Sequence, residues 1–260
     1  MIDTHSHLLP WVDHGCPNLE TSVSMAREAA ASGIHTVVCT PHLPEWDAAD
    51  VQRARVVIEQ VRAALLDAGV EITLLLGFEV DLSVAATVDN DRLWELTIEG
   101  SKGAILLEMP YSGWPVFMED TIFRLASAGF VPVLAHPERN DRIHDSSQLL
   151  MGCLKAGAVA QATAGSLGGE FGRASVRTLY RLFSEGLISL VGSDAHADRK
   201  EGWTLGPMLK ALEGLTTEES IRTLMETNPR RLLGGKAPTP VMPAGEGRSV
   251  RGRTRRPRLR

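Results

Sequence analysis

Short aliphatic and β-branched runs recur along the chain at 1–4, 35–39, 72–76, 104–107, 131–134, 158–162 and 188–191. Runs of this length, bounded by turn residues, predict seven strands. Between most of them apolar residues return at three- and four-residue spacing, which predicts helices over 19–31, 49–67, 116–127, 147–154 and 176–185. Asn18 is placed to cap the first. Gly33, Gly69, Gly129, Gly157 and Gly186 follow helical stretches, where a left-handed residue ends a helix. Two further helices, 205–212 and 218–226, are expected on the outside. Strand-helix alternation of this kind implies right-handed βαβ units around a mostly parallel sheet. No internal repeat is visible.

Length and composition narrow the picture. At 260 residues with 43% hydrophobic residues, the chain suits one larger domain with a sizeable core. That domain is expected over 1–235; the Pro, Gly and Arg-rich stretch 236–260 reads as a disordered tail. The net charge of −5 hides an asymmetry: seven arginines in 248–260 leave −12 for the rest. An acidic body is a poor match for nucleic acid. The basic tail is either a solvated end or a surface for an acidic partner such as a membrane. Met1-Ile2-Asp3-Thr4-His5 offers no basic or apolar leader, and no apolar run reaches the roughly 18 residues of a span. A cytoplasmic protein without stable membrane insertion is expected. Cys16, Cys39 and Cys153 form neither a disulfide framework nor a CxxC site, and read as buried thiols in a reducing compartment.

The chemistry gathers at strand ends. His5 and His7 follow the first run, His42 the second, Glu79 the third, Glu108 the fourth and His136 the fifth; Asp194 and His196 follow the seventh. In a barrel of parallel strands these ends converge on one rim, where active sites sit. Residues i and i+2 of an extended segment share a face, so both rings of His5-x-His7 can reach one ion, as can Asp194-x-His196. Five imidazoles and three carboxylates are too many for one tetrahedral zinc. They suit two or three ions sharing bridging carboxylates, and mixed nitrogen and oxygen donors point to manganese, iron or zinc. Two ions roughly 3.5–4 Å apart acidify a shared water and offset phosphate charge, which is what phosphoester hydrolysis needs. Arg139, three residues after His136, is the guanidinium suited to grip a phosphate. The alternative for Arg139 is a structural salt bridge with Glu138 or another acid. Trp11, Trp46, Tyr111 and Trp114 fall on loops after strands, where one could stack on an aromatic substrate or simply pack the rim.

At these residues the chain resembles the PHP (polymerase and histidinol phosphatase) superfamily. Within it, the likeness is to the manganese-dependent tyrosine-protein phosphatases of bacterial capsule and exopolysaccharide loci, the CpsB/YwqE-like group. The stretches MIDTHSHLLPWVDHG, TVVCTPH, LGFEV, ILLEMP, VLAHPERN, QATAGSLGGEFG and LVGSDAH carry it, in order, over residues 1–196. The resemblance implies a distorted seven-stranded β/α barrel with three metals held by His5, His7, His42, Glu79, Glu108, His136, Asp194 and His196. It implies that Arg139 meets the phosphate. The substrate would be phosphotyrosine on the tyrosine-rich tail of a bacterial autokinase controlling polysaccharide export. No cysteine is followed six residues later by arginine, so a thiol-based phosphatase loop is absent.

One position departs from the pattern. Where the group carries two aspartates before a glycine, this chain has Asp13 and His14. An imidazole can hold a proton near neutral pH, so His14 is a candidate acid for the leaving tyrosyl oxygen. It could instead bind metal or line the rim, and Asp13 is the other candidate acid. A small-molecule phosphatase acting on histidinol phosphate is the main alternative on the same site. A scaffold with a vestigial metal site and a PHP-type nuclease are weaker ones.

Overall fold

Each predicted run becomes one stave of a barrel in the computed structural model, which describes residues 1–198, 212 and 216–241. The strands are β1 (Ile2–Ser6), β2 (Thr36–Cys39), β3 (His42–Leu43), β4 (Thr73–Leu76), β5 (Glu79–Asp81), β6 (Ala104–Glu108), β7 (Val131–Ala135), β8 (Val159–Thr163) and β9 (Leu190–Gly192). All neighbours pair in parallel, β1-β2-β4 in one sheet and β3-β5-β6-β7-β8-β9 in the other. Nine strands arise from seven runs because two staves are interrupted. Thr40-Pro41 separates β2 from β3, and Pro41 has no amide hydrogen to keep the ladder regular. Gly77-Phe78 separates β4 from β5. The ladder bridges both gaps: Gly77 N–H donates to the Cys39 carbonyl at 2.8 Å and Glu79 N–H to that of Pro41 at 3.0 Å. The ring closes between the end of β9 and β1, where Asp194 N–H donates to His5 O and His7 N–H to Ala195 O, both at 2.9 Å. The result is a distorted α/β barrel of seven staves.

The helices, in chain order, are α1 (Leu19–Ala31), α2 (Ala48–Asp67), α3 (Leu82–Thr87), α4 (Asn90–Trp94), α5 (Met118–Ser127), α6 (Asp141–Asp145), α7 (Gln148–Lys155), α8 (Ala164–Gly168) and α9 (Gly172–Ser184). The five longest are the five expected between strands. Asn18 caps α1 as expected, its side chain accepting from Thr21 N–H at 2.8 Å. The expected helix 205–212 lies outside the described residues except for Leu212, which is buried. The expected helix 218–226 is a helix over Glu218–Arg222 followed by a π turn over Thr223–Thr227, and a further helix, Asn228–Leu233, continues the chain. Of the stretch read as a tail, 236–241 lies against the body. Asn228 accepts from Thr239 N–H at 3.0 Å and donates to the Ser189 carbonyl at 2.7 Å; Val241 is buried. The remainder, including the arginine run, lies outside the described residues. No described helix is long and apolar enough to cross a membrane.

Two apolar layers hold this shape. The larger joins helices to the outer barrel face. The smaller is a row of Val38, Ala104, Leu106, Val133, Ala135, Val159 and Leu190, with Leu232 packed against it. Successive residues of a strand alternate faces, so this second row and the residues two further along share the barrel interior. Val38 leads to Thr40 and His42, Leu106 to Glu108, and Leu190 to Gly192 and Asp194. The position of the site follows from that count.

Candidate metal centre

Four acceptor groups converge where β1 and β9 end and β5 begins. His5 Nε2 stands 3.2 Å from His7 Nε2 and 3.2 Å from Glu79 Oε2. His7 Nε2 stands 3.2 Å from Glu79 Oε2 and 3.3 Å from Asp194 Oδ1. The other ring nitrogens are already committed. His5 Nδ1–H donates to Gln161 Oε1 at 3.0 Å, an oxygen identified by the Gln161 amide donating to Thr4 Oγ1 at 2.8 Å. His7 Nδ1–H donates to Asp13 Oδ2 at 2.7 Å. With Nδ1 carrying the proton in each neutral ring, both Nε2 atoms present lone pairs to each other and to two carboxylates. Such a buried donor set suits a cation.

Around this centre the remaining expected residues assemble. His42 Nδ1 lies 3.2 Å from Glu79 Oε2 and 3.3 Å from Glu108 Oε2. His136 Nε2 lies 2.7 Å from Glu79 Oε1, while its buried Nδ1 has no hydrogen-bond partner. Three overlapping groups, His5-His7-Glu79-Asp194, His42-Glu79-Glu108 and His7-His42-His196, each have ligand atoms within 4.8 Å of one another. Glu79 belongs to two of them and touches four imidazoles through its two oxygens. Arg139 Nη1 donates to Asp194 Oδ2 at 2.9 Å, so its acid partner is a residue of the centre and not Glu138. Buried Glu138 instead accepts from Thr163 N–H at 3.0 Å and Ser166 O–H at 2.6 Å.

Backbone geometry aims these groups. His136 and Asp194 adopt left-handed φ of 37° and 51°, uncommon for residues with a side chain and typical of functional positions. Gly15 and Gly192 permit close approach behind the two histidines of β1. A Cβ on Gly15 would lie 2.2 Å from that of His7, and one on Gly192 would lie 2.7 Å from that of His5.

The electrostatics match a cation site. Burial alone would lower the His5 and His7 pKa values, but Glu79 and Asp194 outweigh it at His5, and Asp13 with Asp194 and Glu79 at His7, so that both are raised. Burial alone would raise that of Glu79, but the surrounding imidazoles hold it well below the carboxylate range. Asp3, beneath His5, is pushed up to about 6 by burial, and its Oδ2 has no partner.

The two candidate acids separate. Asp13 accepts from His7 Nδ1, from Gly15 N–H at 2.8 Å and from His42 N–H at 3.0 Å. Burial opposes its ionisation, but these donors, His7 foremost, hold its carboxyl far below the usual range. These bonds place Asp13 to orient the His7 ring and the His42 backbone. His14 is exposed at the rim, its ring stacked on His42 at 5.1 Å and 9° and lying 5.1 Å from His196. Residue-by-residue reasoning missed Gln161, although QATAGSLGGEFG contains it. All three thiols are buried, as expected.

A family model described as capsular polysaccharide synthesis, CpsB/CapC, matches residues 1–234. The tyrosine-protein phosphatase YwqE of Bacillus subtilis is 33% identical over 217 residues, covering 82% of this chain and 84% of the relative. A crystal structure from work on YwqE of Bacillus subtilis and CpsB of Streptococcus pneumoniae, described as unique metal-dependent tyrosine phosphatases, superposes with a TM-score of 0.82. It is 30% identical, and the match covers 94% of this chain and 99% of that one. The organophosphorus hydrolase of Deinococcus radiodurans has a TM-score of 0.54 at 16% identity, covering 90% and 92%, which reflects a shared fold.

Proposed function

The chain belongs to the CpsB/CapC capsular polysaccharide synthesis family, and from that premise we propose that it is a metal-dependent tyrosine-protein phosphatase. The observation that carries this reading is the meeting of His5 and His7 Nε2 with Glu79 and Asp194 oxygens, all buried acceptors within reach of one cation. His5, His7, His42, Glu79, Glu108, His136, Asp194 and His196 hold two or three divalent ions in this reading. Manganese fits the mixed imidazole and carboxylate donors, as do iron and zinc. When bound, the ions supply cationic charge and acidify a water toward neutral pH. The protein does the rest. Arg139 holds the phosphoryl oxygens and offsets their charge. Glu79 joins the ligand groups through its two oxygens. Asp13 and Gln161 fix the rings of His7 and His5. As a water adds to phosphorus and the bond from phosphorus to the tyrosyl oxygen breaks, His14 delivers a proton to that oxygen, leaving tyrosine and inorganic phosphate. The substrate in this reading is the phosphorylated tyrosine-rich tail of a capsule or exopolysaccharide autokinase, met in the cytoplasm.

The test is hydrolysis of a phosphotyrosine peptide by chelator-stripped protein, before and after manganese is returned. Metal-restored hydrolysis, faster than that of histidinol phosphate, is expected. The reverse preference would move the function to a small-molecule phosphatase. No activity with any divalent ion would remove the enzymatic reading.

A further inference from the structure

Among the rim aromatics, Tyr111 touches two groups of the site. Its ring lies 5.6 Å from that of His136 at 22°, close to parallel, and 4.7 Å from the Arg139 guanidinium carbon. On another side, Arg139 meets the Phe171 ring at 3.9 Å. Yet Tyr111 remains 47% exposed. Trp11 is also exposed, but no ring or cation contact ties it to these groups.

The loop that carries Tyr111 is fastened to the residues directly after Arg139. Asn140 Nδ2 donates to the carbonyls of Pro110 at 2.6 Å and Gly113 at 3.0 Å. Asp141 N–H donates to the Tyr111 carbonyl at 3.0 Å. The Asp141 carboxylate accepts from Ser112 O–H at 2.7 Å and Gly113 N–H at 2.9 Å. These bonds fix the loop that carries the ring relative to the segment that carries the guanidinium.

We infer that Tyr111 is the residue that selects aromatic phosphate esters, the exposed part of its ring serving as the contact for the substrate ring. The inference rests on the phosphatase reading above and goes beyond it by naming the source of specificity. The Arg139 guanidinium that would hold the phosphate lies 4.7 Å from the Tyr111 ring centroid, so the ester group is brought beside that ring. Aromatic rings pair favourably at centroid separations of about 4.5–7 Å, so a phenyl ester finds a partner there and a serine ester does not. Asn140 and Asp141 are positioning residues that hold the Tyr111 loop.

The experiment compares wild type, Tyr111→Ala and Tyr111→Phe, all manganese-loaded, on a phosphotyrosine peptide, with inhibition by inorganic phosphate measured alongside. Tyr111→Ala is expected to raise KM for the peptide about tenfold, the order of one aromatic contact, while the inhibition constant for phosphate stays put. Tyr111→Phe, which keeps the ring, is expected to rescue KM. If peptide KM and phosphate inhibition weaken together, Tyr111 acts only through Arg139 and the inference is overturned. An unchanged KM in Tyr111→Ala overturns it as well, with the phosphatase reading intact. Wild type that fails on phosphotyrosine removes that reading, and this inference with it.

Discussion

Asp13 shows how far a side chain's role depends on what donates to it. In sequence, Asp13 and His14 are two candidate acids side by side. In the fold, one carboxylate takes hydrogen bonds from His7 Nδ1, His42 N–H and Gly15 N–H, and so controls two ligands at once. A carboxylate behind a metal-binding imidazole fixes its tautomer and raises its basicity; losing such a partner costs 10–100-fold in metal affinity. Asp13→Ala is therefore expected to weaken manganese binding by about that factor. It also strands buried donors, at about 1–3 kcal/mol of stability. Metal titration followed by calorimetry, with urea unfolding in parallel, checks both; unaltered metal affinity would refute the orienting role. The eight candidate ligands were legible as a set, because imidazoles and carboxylates at successive strand ends make a chemical signal that none of them makes alone. The partner of Arg139 was not: Glu138 is adjacent in sequence, but Arg139 reaches Asp194 across the barrel mouth.

At the scale of elements, the period of two along a strand decides which residues reach the metal centre. Asp3, His5 and His7 keep one parity, as do Val38, Thr40 and His42, and Leu190, Gly192 and Asp194. This is why strand prediction placed the site so well. His136 breaks the rule, since the inward residues of β7 are Val133 and Ala135. His136 itself takes a left-handed φ of 37° and its ring meets Glu79, and nothing in the local sequence announces that. Longer helices were legible from their apolar spacing. The short helices α3, α4, α6 and α8 were not, because one or two turns show no period to read. β8 contributes support where other staves contribute ligands: Gln161, on its inward face, holds the His5 ring. Gln161→Leu keeps the volume and removes the acceptor. It is expected to lower metal affinity about tenfold while leaving the helical circular dichroism spectrum intact. Wild-type affinity in that variant would show that Gln161 only fills the barrel.

At the scale of the whole molecule, the metal centre draws on residues from His5 to His196, so it ties both ends of the barrel together at the point where β9 closes on β1. Bound ions then act as a staple on the closed ring, and their removal should be felt globally. A ligand at about 100 times its Kd adds roughly 2.7 kcal/mol. For a chain of this size 1 kcal/mol moves Tm by about 2–4 °C. Each ion is thus expected to raise Tm by about 5–10 °C. The pH dependence gives this a sign. In metal-free protein, the raised His5 and His7 pKa values stabilise the fold below their unfolded value of about 6.5, and that stability is lost as pH rises through the folded values. Glu79 and Asp13, depressed, contribute stability above the ordinary carboxylate range, and it is lost as pH falls through their folded values. Metal-free protein therefore depends on protonated imidazoles facing ionised carboxylates, whereas metal binding requires those imidazoles neutral. Ions and protons compete for the same nitrogens. The Tm gain on adding manganese is accordingly expected to be larger at pH 8 than at pH 6 when measured by differential scanning fluorimetry on the full chain. A gain independent of pH would mean that the ions bind away from His5 and His7, and the cluster would have to be placed elsewhere.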